Sequence, residues 1–481
     1  MPGMTLRFHS TTAHVLFAPL ILFMLLTGIS YLGQAQTLAQ FPDLASMPDS
    51  TTELQRRIDE GAGNLLLGQS KALRITRTLE IDLARHGAVT VQAAGGVTLI
   101  MDGPGPALRF IGSHEGTGSP KSFKPETWHQ RMPIVSGIEI VGNHPEADGI
   151  ELVRTVQAVI SRTSVRWCRH AVHLVDRNRN VIVSDCHLYE NSGIGLYLDD
   201  VNLHQINICN SHISYNRQGG IVVRDGNVRN LQVTGCDIEA NMPDDVTKTT
   251  AANILIDVSG TPDTRAQSIA EISITGCTIQ HSANYGKDRD KTIAPGGANI
   301  RLAGKAIYPI NSVTISGNVL SDTSTNIVVD HCHDVAINGN NFFAPKPANL
   351  HVSNSQRVVL SGNTFNPRQF VRPGTILFEN SADCLIANST LHKFTTGDGA
   401  LILRNCDGFT LSSLILTDCG SGIVLKDSSD VTITGCRVAR TVDAGTDLTV
   451  DRSNRKILLN GNSFGGKTRL TKSALAEGNL R

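Results

Sequence analysis

Apolar and polar residues alternate along this chain in short runs, with few of the long amphipathic stretches that make helices. Three segments read almost alike: Val313-Thr-Ile-Ser-Gly-Asn318, Val335-Ala-Ile-Asn-Gly-Asn340 and Val358-Val-Leu-Ser-Gly-Asn363. Each is a period-two strand, a Gly-Asn corner and one further apolar residue, Leu320, Phe342 or Phe365. A second short strand follows, such as Asn326-Ile-Val-Val-Asp330. Corner slots recur at 186, 211, 236, 277, 318, 340, 363, 389, 414, 436 and 462; most intervals are 22 to 26 residues and two are 41. A unit of this length holds two visible strands and a third around the post-corner apolar residue. The pattern predicts an all-β solenoid of three parallel sheets, with about 13 coils. Leucine-rich repeats share the period but would need an Asn-x-Leu pattern and a helix, and neither is present.

The ends read differently. Val15 to Leu26 is almost wholly apolar and Gly33-Gln-Ala35 offers small residues at cleavage spacing, so residues 1–35 read as a signal peptide or an uncleaved anchor. Either reading puts the remainder outside the cytoplasm, secreted or in the cell envelope, with a membrane partner only if the segment is retained. Residues 36–64 read as a linker and a capping helix: Ser50-Thr-Thr-Glu53 is a capping box, Leu54 and Ile58 give an apolar face, and Gly61 and Gly63 end the helix. Such a helix would cover the open first turn of the solenoid over 65–466, and 467–481 read as a polar tail that frays.

Composition narrows the partners. Lys plus Arg and Asp plus Glu both number 43 and aromatics are 5%, which argues against nucleic acid. Of the ten cysteines, Cys236, Cys277 and Cys436 fill the corner slot that Asn takes elsewhere, so most are expected to be free core thiols. No Cys-x-x-Cys or His-x-x-x-His cluster suggests a metal, and calcium is left open.

The Ser/Thr-Gly-Asn/Cys-x-Ile/Phe motif at a regular period resembles the right-handed parallel β-helix of the pectate-lyase-like superfamily, over roughly residues 50 to 465. The resemblance implies an inward Asn ladder at one corner. It specifies fold and is nearly silent on activity.

On the second strand of each unit, residues after the inward series (Ile194, Ile221, Ile254, Ile300 and so on) face outward, giving one column with Val222, Leu255 and Arg301 and a second with Tyr197, Arg224 and Asp257. The long excursions 112–133, 239–252, 258–270 and 282–298 border this same strand, which makes a groove the expected working face. Candidate catalytic residues are Asp199, Asp200, His173, Arg224 and Asp257; candidate substrate contacts are Tyr197, Asp225, Arg301 and Trp128. Asp199-Asp200 resembles the acid pair of polygalacturonase-like members, although acids also begin turns; Arg224 over Asp257 also reads as a ladder ion pair. The expectation is a hydrolase or lyase acting on polysaccharide, and the competing one a non-catalytic glycan-binding or surface-attachment protein. An apolar stripe, Leu377, Ile402 and Val424, would be covered by the tail or by a second subunit.

Overall fold

The computed structural model describes residues 40–481 except 42, 62, 69–71, 118, 120, 122–123, 244–247, 266–267, 283–292, 369–372, 396, 440–444, 472–473 and 480–481. The signal or anchor segment lies outside the described residues. Every period-two run becomes a strand, and all strand ladders among the described residues are parallel, from residues 65–67 to 474–477. Each coil gives one strand to sheet A before the Gly-Asn corner, one to sheet B after it and one to sheet C. Apolar residues stack in register inside all three: Ile274, Ile315, Ile337 and Leu360 in A, Ile279, Leu320, Phe342 and Phe365 in B, Ile300, Ile327, Leu350 and Ile376 in C. All of these are at most 1% exposed and belong to one continuous core.

The solenoid has about 15 turns rather than the expected 13 or so. Part of the difference is the C-terminal stretch: Lys467–Arg469 pairs with 446–449 and Ala474–Glu477 with 457–460, so much of the polar tail adds strands to the stack. At the other end, helix α1, Thr51–Glu60, buries Leu54 and Ile58 against the first coil. Ser50 makes no side-chain cap; Asp49 accepts from the Thr51 backbone N–H at 2.9 Å and from its hydroxyl at 2.5 Å. An acid one residue upstream thus caps the turn, and the expected capping box does not form.

The corner motif has a direct physical reason. Gly317, Gly339 and Gly362 sit at φ of 65°, 64° and 67°, a left-handed conformation that glycine adopts without a Cβ penalty. The next residue then points inward, and Asn318 donates to Asn340 at 3.0 Å and Asn340 to Asn363 at 3.1 Å. Where Cys takes the slot, as Cys236 and Cys277 do, the thiol faces the carbonyl two residues back, at 3.5 and 3.4 Å. All ten cysteines are free, and all but Cys209 are buried. A second ladder, which the sequence reading did not anticipate, lies at the corner between sheets B and C. There Asn191, Asn216, Asn241, Asn253, Asn299, Asn326 and Asn349 pass amide hydrogen bonds along the stack at 2.7 to 3.0 Å, each to the next coil except Asn241 to Asn253, which share one coil.

One register in sheet C differs from expectation. Leu196, not Ile194, stacks under Ile221, so Tyr197 lies under Val222 and Asp199 under Arg224. Ile194 and Leu196 are both apolar and two apart, so alternation alone could not choose between them. The outward column therefore runs Arg109, Glu151, His173, Tyr197, Val222, Leu255, Arg301.

Candidate functional site

The corrected register brings together residues that the sequence places on four different coils. His173 lies between two carboxylates, with Nδ1 3.5 Å from Glu151 and Nε2 3.3 Å from Asp199. The Tyr197 hydroxyl donates to the other oxygen of Asp199 at 2.8 Å, and its ring stacks on His173 with centroids 5.1 Å apart and planes 4° apart. Below, Arg109 donates to Glu151 at 2.5 Å. Above, Arg224 follows Asp199 in register and is exposed. His170 completes the aromatic group, 5.6 Å from the His173 ring and 5.2 Å from Tyr197. Its Nδ1 accepts the Ile194 backbone N–H at 3.1 Å, which leaves the ring proton on Nε2. Buried Asp148 fixes this bend by accepting from the His170 N–H at 2.9 Å and from Arg169 at 3.0 and 2.5 Å.

These contacts separate the protonation states. Burial alone would push His173 toward neutrality, but the bonds to Asp199 and Glu151 outweigh it and raise its pKa to about 9. His170 shows the opposite outcome: burial dominates, and its pKa drops to about 4. The imidazolium of His173 holds both Asp199 and Glu151 below the ordinary carboxylate range, against the opposing effect of burial. Burial first and Asp199 second raise the Tyr197 phenol. At neutral pH the site thus holds one imidazolium, one neutral imidazole, two carboxylates and a phenol.

The other candidates go elsewhere. Asp199 and Asp200 take different partners: Asp200 is a bend residue at φ 48° whose carboxylate meets Arg265. Asp225, at φ 57°, is likewise a bend and accepts from Thr261. Asp257 caps the following loop through Ser259, at 2.9 Å from its N–H and 2.6 Å from its hydroxyl. Arg301 donates to the Gly296 carbonyl and braces the incoming loop. Trp128 is exposed on Pro125–Gln130, a short 3-10 helix against the first coils, where Arg131 lies 3.6 Å over its ring. Glu151, His170, Asp148 and Arg109 were not among the sequence candidates, because only the register reveals which coils stack.

The excursions border sheet C on both edges, as the pattern suggested, but the sheet between them is not uniformly open. Val222 and Leu255 face away from the core yet are 0% and 2% exposed, and with Ile194, Ala252 and Ala298 they make a separate apolar cluster edged by Tyr197. Around His173 to Arg224 the face is partly open: His173, Tyr197 and Asp199 are half-buried and Arg224 is exposed. Toward the C-terminus Ile402 and Val424 are buried at 4% and 5%, leaving Leu377 as the half-buried member of the stripe expected at a subunit contact. No helix among the described residues is long and apolar enough to cross a membrane.

Comparison with known proteins agrees on architecture. Residues 268–474 match the family described as periplasmic copper-binding protein (NosD), and residues 134–257 match the right handed beta helix region. Each match spans less than half of the chain. Among the described residues, no group of three or more His, Cys, Asp and Glu side chains is placed to hold a metal ion. No curated protein matches by sequence. Similar solved structures include tailspike protein 3 of bacteriophage CBA120, 13% identical with a TM-score of 0.38, covering 90% of this chain and 59% of that one. The A-module of the mannuronan C-5 epimerase AlgE6 from Azotobacter vinelandii is 11% identical with a TM-score of 0.36, covering 90% and 95%. The catalytic unit of a GH87 α-1,3-glucanase from Streptomyces thermodiastaticus is 12% identical with a TM-score of 0.43, covering 88% and 68%. The chain thus spans less than two thirds of the tailspike's length. From the stacked parallel coils and the match over 134–257, the chain is a right-handed parallel β-helix.

Proposed function

We propose that this protein is an exported enzyme acting on an acidic polysaccharide laid along sheet C, by proton transfer and elimination. The observation that carries this reading is the geometry around His173, which lies between Glu151 and Asp199 with the Tyr197 hydroxyl donating to Asp199. Two-carboxyl hydrolysis needs one carboxyl kept protonated as the acid, whereas Glu151 and Asp199 are both held ionised. The proton carrier at the edge of the open face is instead the half-buried Tyr197 phenol.

In such an elimination, Tyr197 acts in its ionised form, having lost its proton to solvent, and takes the proton α to the uronate carboxylate. The bond to the leaving oxygen breaks and Tyr197 passes that same proton to the oxygen, so it ends as the phenolate it began as, while Asp199 stays ionised and positions the phenol oxygen. Exposed Arg224 is the cation available to the sugar carboxylate, and His173 with Glu151 keeps Asp199 oriented. Export is supported by the apolar Val15 to Leu26 stretch followed by small residues.

The test is a panel of uronic-acid and neutral polysaccharides. The reading expects the ultraviolet absorbance of an unsaturated uronate, and a loss of about 10²- to 10⁴-fold in rate for Tyr197→Phe with glycan binding retained. Saturated reducing ends would mean hydrolysis, and retained binding with no product from any substrate would favour the non-catalytic role.

A further inference from the structure

We infer that a second site, at the corner between sheets C and A, binds a small oxyanion of the sulfate or phosphate type through Arg177, Arg179 and His204. After the left-handed bend at Asp176, both arginines point outward on the strand Val172–Ser184, and Arg179 stacks directly below His204 of the next coil. Arg179 is only 3% exposed. Its guanidinium donates to the Asn178 carbonyl at 2.7 Å, the Asn202 carbonyl at 2.6 Å and the Asn202 side-chain oxygen at 2.9 Å. All three acceptors are neutral. They fix the fork in place without cancelling its charge.

Arg177 is spent in the same way, donating to the Gly116 carbonyl at 2.7 Å on the long excursion that crosses this corner. Three nitrogens remain buried with no partner: Arg177 Nε, Arg179 Nε and His204 Nε2. Of the nearby acids, Asp176 and Glu115 pair with Arg154 while still facing Arg177, and Glu271 pairs with Arg229; none acts on Arg179 or His204. Burial and then Arg177 pull Arg179 down to about 10, as expected for a cation without a counter-charge, and burial and then Arg179 lower His204, which keeps its imidazole neutral at neutral pH. A buried cation with only neutral acceptors is destabilising unless an anion supplies the missing charge. Planar guanidinium forks match the geometry of tetrahedral oxyanions. Arg177 and His204 are half-buried, so an anion can meet the cluster from solvent while Arg179 lies behind.

The inference is independent of the chemistry proposed for sheet C, and its test is separate. Sodium sulfate and sodium phosphate are titrated into the purified chain by calorimetry, with sodium chloride at matched ionic strength as reference. One saturable site is expected for at least one oxyanion, weakened at least tenfold in Arg179→Gln and in Arg177→Gln. The second variant removes a half-buried side chain with one bond to the fold, so it remains informative where Arg179→Gln does not fold. A sulfated polysaccharide and its desulfated form separate the sources: preference for the sulfated form that Arg177→Gln abolishes assigns the site to a glycan ester, and equal affinity assigns it to the free ion. Heats identical in chloride, or affinity unchanged in Arg177→Gln, would overturn the proposal.

Discussion

His173 ties the candidate site to the stability of the whole coil stack, and pH reads that link directly. In the fold its pKa is about 9, against about 6.5 for an unstructured histidine. Between those values the folded chain keeps a proton that the unfolded chain has released, so stability falls as pH rises. The contribution is complete below about pH 6.5 and gone above about 9. A gap of about 2.5 units at about 1.36 kcal/mol each amounts to about 3 kcal/mol. The side chain is only 13% exposed, so solvent screening removes little of it. His170, lowered to about 4, works in the opposite direction: the unfolded chain takes up a proton that the fold refuses, and stability falls as pH drops from about 6.5 toward 4. The pair therefore contributes most near pH 6.5. Guanidinium unfolding followed by circular dichroism, at about pH 6.5, 8 and 9.5, compares the wild type with His173→Gln. The wild type is expected to lose about 3 kcal/mol more than the variant across that range. Parallel profiles for the two proteins would refute the assignment of an imidazolium held between Glu151 and Asp199.

Other outcomes follow from the ladders and the thiols. Asn216→Leu removes the acceptor of the Asn191 amide and the donor to the Leu188 carbonyl and to Asn241, so a loss of about 2 to 4 kcal/mol is expected in a thermal or denaturant melt. With a membrane-impermeant thiol reagent, the native protein is expected to leave its nine buried cysteines unmodified, with Cys209 alone reacting, and to yield all ten only after unfolding; mass spectrometry gives the count.

The scaffold was legible because its physics is local and repeated. A period of two gives strands, Gly at the left-handed corner gives the bend, and a small polar or thiol residue after it fills an inward slot, all within a few residues of one another. The second ladder was also written in the text, since Asn191, Asn216 and Asn241 recur every 25 residues, but without a flanking glycine these positions looked like ordinary loop asparagines. The site was legible only in part. His173, Tyr197 and Asp199 were found as candidates on the right sheet, yet the choice between Ile194 and Leu196 shifted one strand by two positions and set Tyr197 beside Arg224 instead of under Val222. Alternation fixes which face a side chain takes and says nothing of which neighbour it meets one coil away. The burial of Val222 and Leu255 was invisible for a related reason, because an apolar outward residue reads the same whether it is wet or covered.

The chain winds around the axis, but the contacts at His173 run along it. Arg109, Glu151, His173 and Asp199 come from four successive windings, and no winding holds a complete set of partners. Excising a whole winding such as 186–210 would keep the backbone ladders in phase and yet break this line, because Asp199 and Tyr197 would vanish while the layers above and below closed over the gap. In a stacked molecule of this kind, modular gain or loss of windings is mild for architecture and severe for chemistry.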